Sequence, residues 1–161
     1  MRILAISGRL QARSSNTRLL EAARSLAPAG SEIVIFSSVG DVPHFNPDLE
    51  EHGPDGGAVA ELRAALAAAD AVLIATPEYA HALPGSLKNA LDWIVGSGEL
   101  YAKRVAIISA APSANRGVNA REMLERTLPA QGSVVVSSST IQSPVTKRRY
   151  CAERRRQPSV R

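Results

Sequence analysis

Five short aliphatic runs, separated by alanine- and leucine-rich stretches of helical length, constrain the fold of this chain more than any other feature. Arg2–Ile6 (RILAI) reads as a first, fully buried strand, and Asn16–Leu26 as a helix stopped by Pro28 and Gly30. Glu32–Phe36 (EIVIF) is a second strand, Ala58–Ala69 a helix and Ala71–Ala75 (AVLIA) a third strand. Pro84–Val95 reads as a helix with proline in its first turn, Arg104–Ser109 as a fourth strand. Val118–Leu128 is a helix stopped by Pro129, and Ser133–Ile141 a fifth strand. Between the second strand and its helix, Ser37 to Gly57 is rich in Pro, Gly, Asp and His and reads as too polar for an element; connections of that length are uncommon. Continuous apolar strands joined by helices predict a parallel sheet covered on both faces. The element count fits the doubly wound five-stranded α/β order 2-1-3-4-5, in which ligands bind at the carboxyl ends of the strands. The loops after strands one, three and four are therefore where chemistry is expected.

The 161 residues suffice for one domain with a real core. The apolar runs are far short of a membrane span, and Met1–Ile6 enters a strand directly without a signal-peptide core. A single cysteine, Cys151, excludes an internal disulfide and suits the cytoplasm. The net charge of +4 is unevenly spread. Seven of the 19 Lys/Arg and one of the 15 Asp/Glu lie in residues 147–161, which leaves twelve bases and fourteen acids in residues 1–146. The expected organisation is a domain over 1–146 and a basic, disordered tail over 147–161. Nucleic-acid binding would have to reside in that tail, and the reading set against it is disorder.

The first loop runs Ser7-Gly8-Arg9-Leu10-Gln11-Ala12-Arg13-Ser14-Ser15-Asn16 into a helix start. Free N–H groups and the helix dipole favour an anion there; Ser14, Ser15 and Asn16 can donate to phosphate oxygens, and Arg9 or Arg13 can add charge-assisted bonds. The competing reading is a plain N-cap. The third-strand loop, Thr76-Pro77-Glu78-Tyr79-Ala80-His81-Ala82-Leu83-Pro84-Gly85, is stiffened by two prolines and offers backbone amides and an aromatic ring against which a planar ligand can lie. His81 reads as a loop histidine, and Trp93 as a packing or subunit-contact residue. The chain has no GxxxxGK[ST], no GxGxxG after the first strand, no GxSxG and no metal-ligand cluster, which argues against triphosphatase, Rossmann dinucleotide, serine-hydrolase and metal chemistry.

Thr76-Pro-Glu-Tyr79 followed by Leu83-Pro-Gly-Ser-Leu-Lys-Asn-Ala-Leu-Asp-Trp93 resembles the NADPH-dependent FMN reductase family, the flavodoxin-like quinone, azo-dye and chromate reductases. Ile6-Ser-Gly8 with Ser14-Ser-Asn16 is similar to that family's phosphate loop, and the resemblance covers roughly residues 1–140. It implies FMN as cofactor, its phosphate held by Ser7, Arg9, Gln11, Ser14, Ser15 and Asn16. The isoalloxazine would be cradled by Pro77, Glu78, Tyr79 and Ala80, with Ser109 and Ala110 approaching from another side. It implies NADPH or NADH as co-substrate and no catalytic side chain, because the flavin carries the hydride. A small-molecule acceptor (a quinone, azo compound, chromate or free flavin) and a homodimer or homotetramer are also implied.

Departures from the family pattern are Arg9 and Gln11 where Ser and Arg are usual, Ala80 where Asn is common, and Gly117 where a glycine pair is usual. The family's final helix is expected to be missing or altered, because residues 147–158 are basic and lack an amphipathic face; part of one sheet face would then lie exposed. Two alternatives stay open at this point: a non-enzymatic flavodoxin-like electron carrier, and a degenerate homologue that no longer holds FMN.

Overall fold

A computed structural model describes residues 1–11, 14–51 and 56–142. Five parallel strands, β1 (Arg2–Ser7), β2 (Glu32–Phe36), β3 (Ala71–Ala75), β4 (Arg104–Ala111) and β5 (Val134–Gln142), form one sheet in the order β2-β1-β3-β4-β5. This is the flavodoxin-like doubly wound arrangement expected from the sequence. The helices are α1 (Ser15–Ser25), α2 (Pro47–Glu51), α3 (Gly57–Ala67), α4 (Gly85–Asp92) and α5 (Val118–Ala130).

Successive strand residues point to opposite faces, and the aliphatic runs fill both. Leu4 and Ile6 of β1, with Val72, Ile74, Val105 and Ile107, pack under α3, α4 and α5 through Leu62, Leu66, Leu87, Leu91, Leu124 and Leu128. Ala5, Ile33 and Ala75 meet Leu20 of α1 on the other face. Burying each such side chain contributes roughly 1.5–3 kcal/mol. Val134, Val136 and Ile141 of β5 remain about half exposed. The expectations for a final helix after β5 and for a basic tail over 147–161 fall outside the described residues.

Two sequence expectations are corrected. The connection after β2 is not devoid of elements: it contains a 3-10 turn, Ser38–Asp41, and the short helix α2. It is held by tertiary bonds that no local pattern reveals. Asn89 of α4 accepts from the Phe45 N–H at 2.8 Å and donates to the Pro43 carbonyl at 2.8 Å, and Trp93 Nε1 donates to that same carbonyl at 2.7 Å. Trp93 is fully buried, with Phe45 edge-on at 5.3 Å, so within this chain it is a packing residue. Pro129 does not stop α5 but sits in its last turn. The backbone there has already turned to i−3 bonds, Gln131 N–H to Leu128 and Gly132 N–H to Pro129.

The register sets the level of the site. Ser7 lies opposite Ala75, and Ala75 opposite Ile108. Gly8 and Thr76 therefore leave β1 and β3 at one height, level with Ser109, which is still within β4.

Candidate flavin cradle at the strand ends

The first and third loops meet at Gly8. Its N–H donates to the Ala75 carbonyl at 2.8 Å. A Cβ built on it would lie 2.9 Å from Leu87 Cδ2, 3.3 Å from Thr76 Oγ1 and 3.4 Å from Pro77 Cδ. Only a residue without a side chain lets the two turns touch.

Beyond Gly8 the first loop is tied to itself. Ser7 Oγ accepts from the Arg9 N–H at 3.3 Å and donates to the Arg9 carbonyl at 3.2 Å. Arg9 Nη2 donates to Gln11 Oε1 at 2.7 Å, and its guanidinium carbon stands 6.0 Å from the centre of the Tyr79 ring, a cation–π distance. Arg9 Nε is buried without a partner among the described residues. The Arg9–Gln11 pair, which departs from the family pattern, thus forms a bridge from the first loop to the third.

Ser14 is the N-cap of α1: its Oγ accepts from the Thr17 N–H at 3.0 Å and shares a hydrogen bond with Thr17 Oγ1. Asn16 is buried, and its Oδ1 accepts from the Ala110 N–H at 2.8 Å, which fastens the helix start to the end of β4. Ser15 is exposed at the helix mouth, where first-turn N–H groups have no intrahelical acceptor. Ser7, Ser14 and Asn16 therefore shape the loop through protein bonds, while Arg9, Gln11 and Ser15 front it.

In the third loop Tyr79 and Ala82 exchange both backbone hydrogen bonds, at 3.1 and 2.9 Å, closing a two-residue turn over Ala80 (φ 48°) and His81 (φ 62°). Two positive φ angles define a turn that favours Asn and Gly, and neither is present. An alanine in the left-handed region costs roughly 1–2 kcal/mol. Ala80→Asn is accordingly expected to raise unfolding stability by about 0.5–1 kcal/mol. Urea titration followed by circular dichroism checks this, and an unchanged or lower midpoint would show that the turn carries no such cost. The tight turn leaves the N–H groups of Glu78, Ala80 and His81 without acceptors among the described residues.

The Glu78 side chain turns away from this mouth. Its carboxylate accepts from Asn119 Nδ2 and from the Ala120 N–H, both at 3.3 Å, and His81 Nδ1 lies 3.6 Å from it. A carboxylate at the start of α5 is favoured by the helix dipole. Sequence reading missed this tie because its partners lie 41 and 42 residues away. Pro77 is buried beside Gly8, and its carbonyl accepts from Thr76 Oγ1 at 2.9 Å.

Ser109 closes the third side. It is buried, its Oγ has no partner among the described residues, and a Cβ on Gly117 (φ +83°) would come within 2.5 Å of that oxygen. Gly117 therefore fits where the chain passes over the hydroxyl. An unpaired buried hydroxyl costs about 1–3 kcal/mol unless something bonds it.

Residues 1–146 match the family model for NADPH-dependent FMN reductase. Over 119 residues the chain is 37% identical to a probable NADPH:quinone oxidoreductase 2 of Oryza sativa subsp. japonica, a match covering 73% of this chain and 59% of the rice protein. Over 130 residues it is 35% identical to an NAD(P)H-dependent FMN reductase of Pseudomonas aeruginosa, covering 80% and 69%. Among solved structures it resembles FerB, a flavoenzyme NAD(P)H:(acceptor) oxidoreductase of Paracoccus denitrificans, with TM-score 0.75 and 30% identity over 89% of this chain and 76% of that one. The chain spans less than two thirds of the rice relative's length.

Proposed function

Since the chain belongs to the NADPH-dependent FMN reductase family, we propose that it binds FMN in this cradle and reduces a small acceptor at the expense of NAD(P)H. The carrying observation is that, among the described residues, donors without partners stand in the loops after β1 and β3 and near the end of the adjacent β4: Arg9 Nε, the amides of Glu78, Ala80 and His81, and Ser109 Oγ. Such donors suit a ligand with phosphate oxygens at one end and carbonyl and ring nitrogens at the other. In this reading Arg9, Gln11, Ser15 and the α1 mouth take the phosphate, while Ser7, Ser14 and Asn16 hold the loop in shape. The main chain of Pro77, Glu78, Tyr79 and Ala80 supports the ring from one side, and Ser109 donates from another. Bound FMN supplies the hydride and electron transfer itself. The chain's task is orientation, and no side chain is asked to act as nucleophile or base.

The acceptor we favour is a quinone-like small molecule, in keeping with the names of the relatives. Azo compounds, chromate and free flavin fit the same chemistry. The reading extends to a homodimer or homotetramer in the cytoplasm. Leu10 (61% exposed) and Tyr79 (47% exposed) beside the mouth supply apolar surface for a second copy. No helix among the described residues is long and apolar enough to cross a membrane.

Titration of the purified protein with FMN, read by flavin fluorescence, tests the proposal. Saturable 1:1 binding is expected, followed by direct bleaching of the bound flavin on anaerobic mixing with NADPH. Ser109→Ala is expected to weaken FMN about five- to tenfold, the loss of one hydrogen bond of about 1–1.5 kcal/mol. A folded protein that ignores FMN overturns the reading.

A further inference from the structure

On the far side of β1 from the cradle lies a cavity of about 630 Å³, within the roughly 300–1,000 Å³ of small-molecule sites. One wall is α1: Thr17, Glu21 and Arg24 stand at i, i+4 and i+7, on one helix face. At 1.5 Å per residue they span about 10 Å. The opposite wall is Ile35 at the sheet edge with Asp41 and Val39 of the 3-10 turn, and Leu10 stands above it. The mouth is shared with the cradle, because Arg9 and Gln11 line both.

The lining carries two guanidiniums, Arg9 of the first loop and Arg24 in the last turn of α1, and two carboxylates, Glu21 one turn before Arg24 and Asp41 on the 3-10 turn. Among the described residues the side chains of Glu21, Arg24 and Asp41 have no ion-pair or hydrogen-bond partner. Guanidinium groups match phosphates, carboxylates accept from sugar hydroxyls, and the apolar wall suits a purine. A ligand that is anionic throughout would meet the two carboxylates, and an apolar one would strand four charges.

We infer that this groove holds the adenosine end of NAD(P)H, with the 5′-phosphates at the mouth it shares with the cradle, the ribose beside Glu21 and Asp41, and a 2′-phosphate against Arg24. The inference rests on the flavin-reductase reading, and it assigns the residue that selects NADPH over NADH. It also explains the placement of the groove, since a dinucleotide seated there reaches the cradle through the mouth that Arg9 lines. Arg24 also lies in the last turn of α1, where a cation is favoured by the helix dipole alone. The test must therefore read ligand preference rather than stability.

The experiment is calorimetric titration of the intact protein and of Arg24→Glu with adenosine 2′,5′-bisphosphate and with adenosine 5′-monophosphate. The wild type is expected to bind the bisphosphate at least tenfold more tightly, Arg24→Glu to lose that preference, and Arg24→Lys to keep part of it. Equal affinities in the wild type overturn the inference, as does a preference that survives Arg24→Glu. FMN titration of the same samples separates the two claims. A protein that ignores FMN yet keeps an Arg24-dependent preference supports the groove as a nucleotide site and overturns only the flavin reading.

Discussion

Trp93→Ala is expected to lower the unfolding free energy by about 3–5 kcal/mol, the range for removing a buried tryptophan. The residue is fully buried, packs edge-on with Phe45 and donates to the Pro43 carbonyl. Its loss removes ring packing and one of the bonds that hold the connection after β2 against α4. Trp93→Phe keeps an aromatic body and leaves Pro43 bonded to Asn89, so it should cost only about 1–2 kcal/mol. Urea unfolding followed by far-ultraviolet circular dichroism measures both, because the chain's one tryptophan reporter is the residue removed. A deficit below about 1 kcal/mol in the alanine variant would mean that the connection does not depend on this anchor.

Gly8→Val should separate the two halves of the cradle. A single Cβ at that position already comes within 2.9 Å of Leu87 and 3.3 Å of Thr76, both fully buried. The Thr76 N–H is bonded to Ile108 at 2.9 Å, so the third loop has little room to retreat. Overpacking of this kind costs typically 1–3 kcal/mol. With about 2–2.7 kcal/mol of it met again whenever the turns close on a ligand, FMN affinity falls roughly thirty- to hundredfold. Fluorescence titration on protein shown to be folded by circular dichroism reads this directly. Wild-type affinity in the valine variant would show that flavin binding does not need the turns to touch.

The sheet was legible because its determinants are local. Aliphatic runs of strand length alternate with helix-length stretches, and each strand boundary agrees with the structure to within a residue or two. The site was legible in outline for the same reason, since strand order alone brings the first, third and fourth loops to one edge. What escaped lies in bonds across 40 to 94 residues. Asn89 and Trp93 read as part of a family string, yet they reach back to the connection after β2 and give structure to a segment with no periodicity of its own. Asn16 reads as a phosphate donor through its Nδ2, and its Oδ1 has a further role no local pattern reveals, accepting from the Ala110 N–H, 94 residues on. The turn at Ala80 and His81 was invisible to turn chemistry, because it adopts a glycine-favouring conformation without a glycine. Pro129 misled because proline is tolerated where helix hydrogen bonding is already changing at the end of α5.

Arg9 meets an amide oxygen through Nη2 and an aromatic face; among the described residues its Nε has no partner, and no carboxylate pairs with it. Its full positive charge is thus left to act on the surrounding solvent. A nucleotide approaching the mouth is drawn in from a distance of order the Debye length, about 10 Å at 0.1 M salt. An uncharged quinone feels no such pull. In the proposed reaction the two substrates would therefore arrive under different physics, with added salt slowing the first encounter and sparing the second.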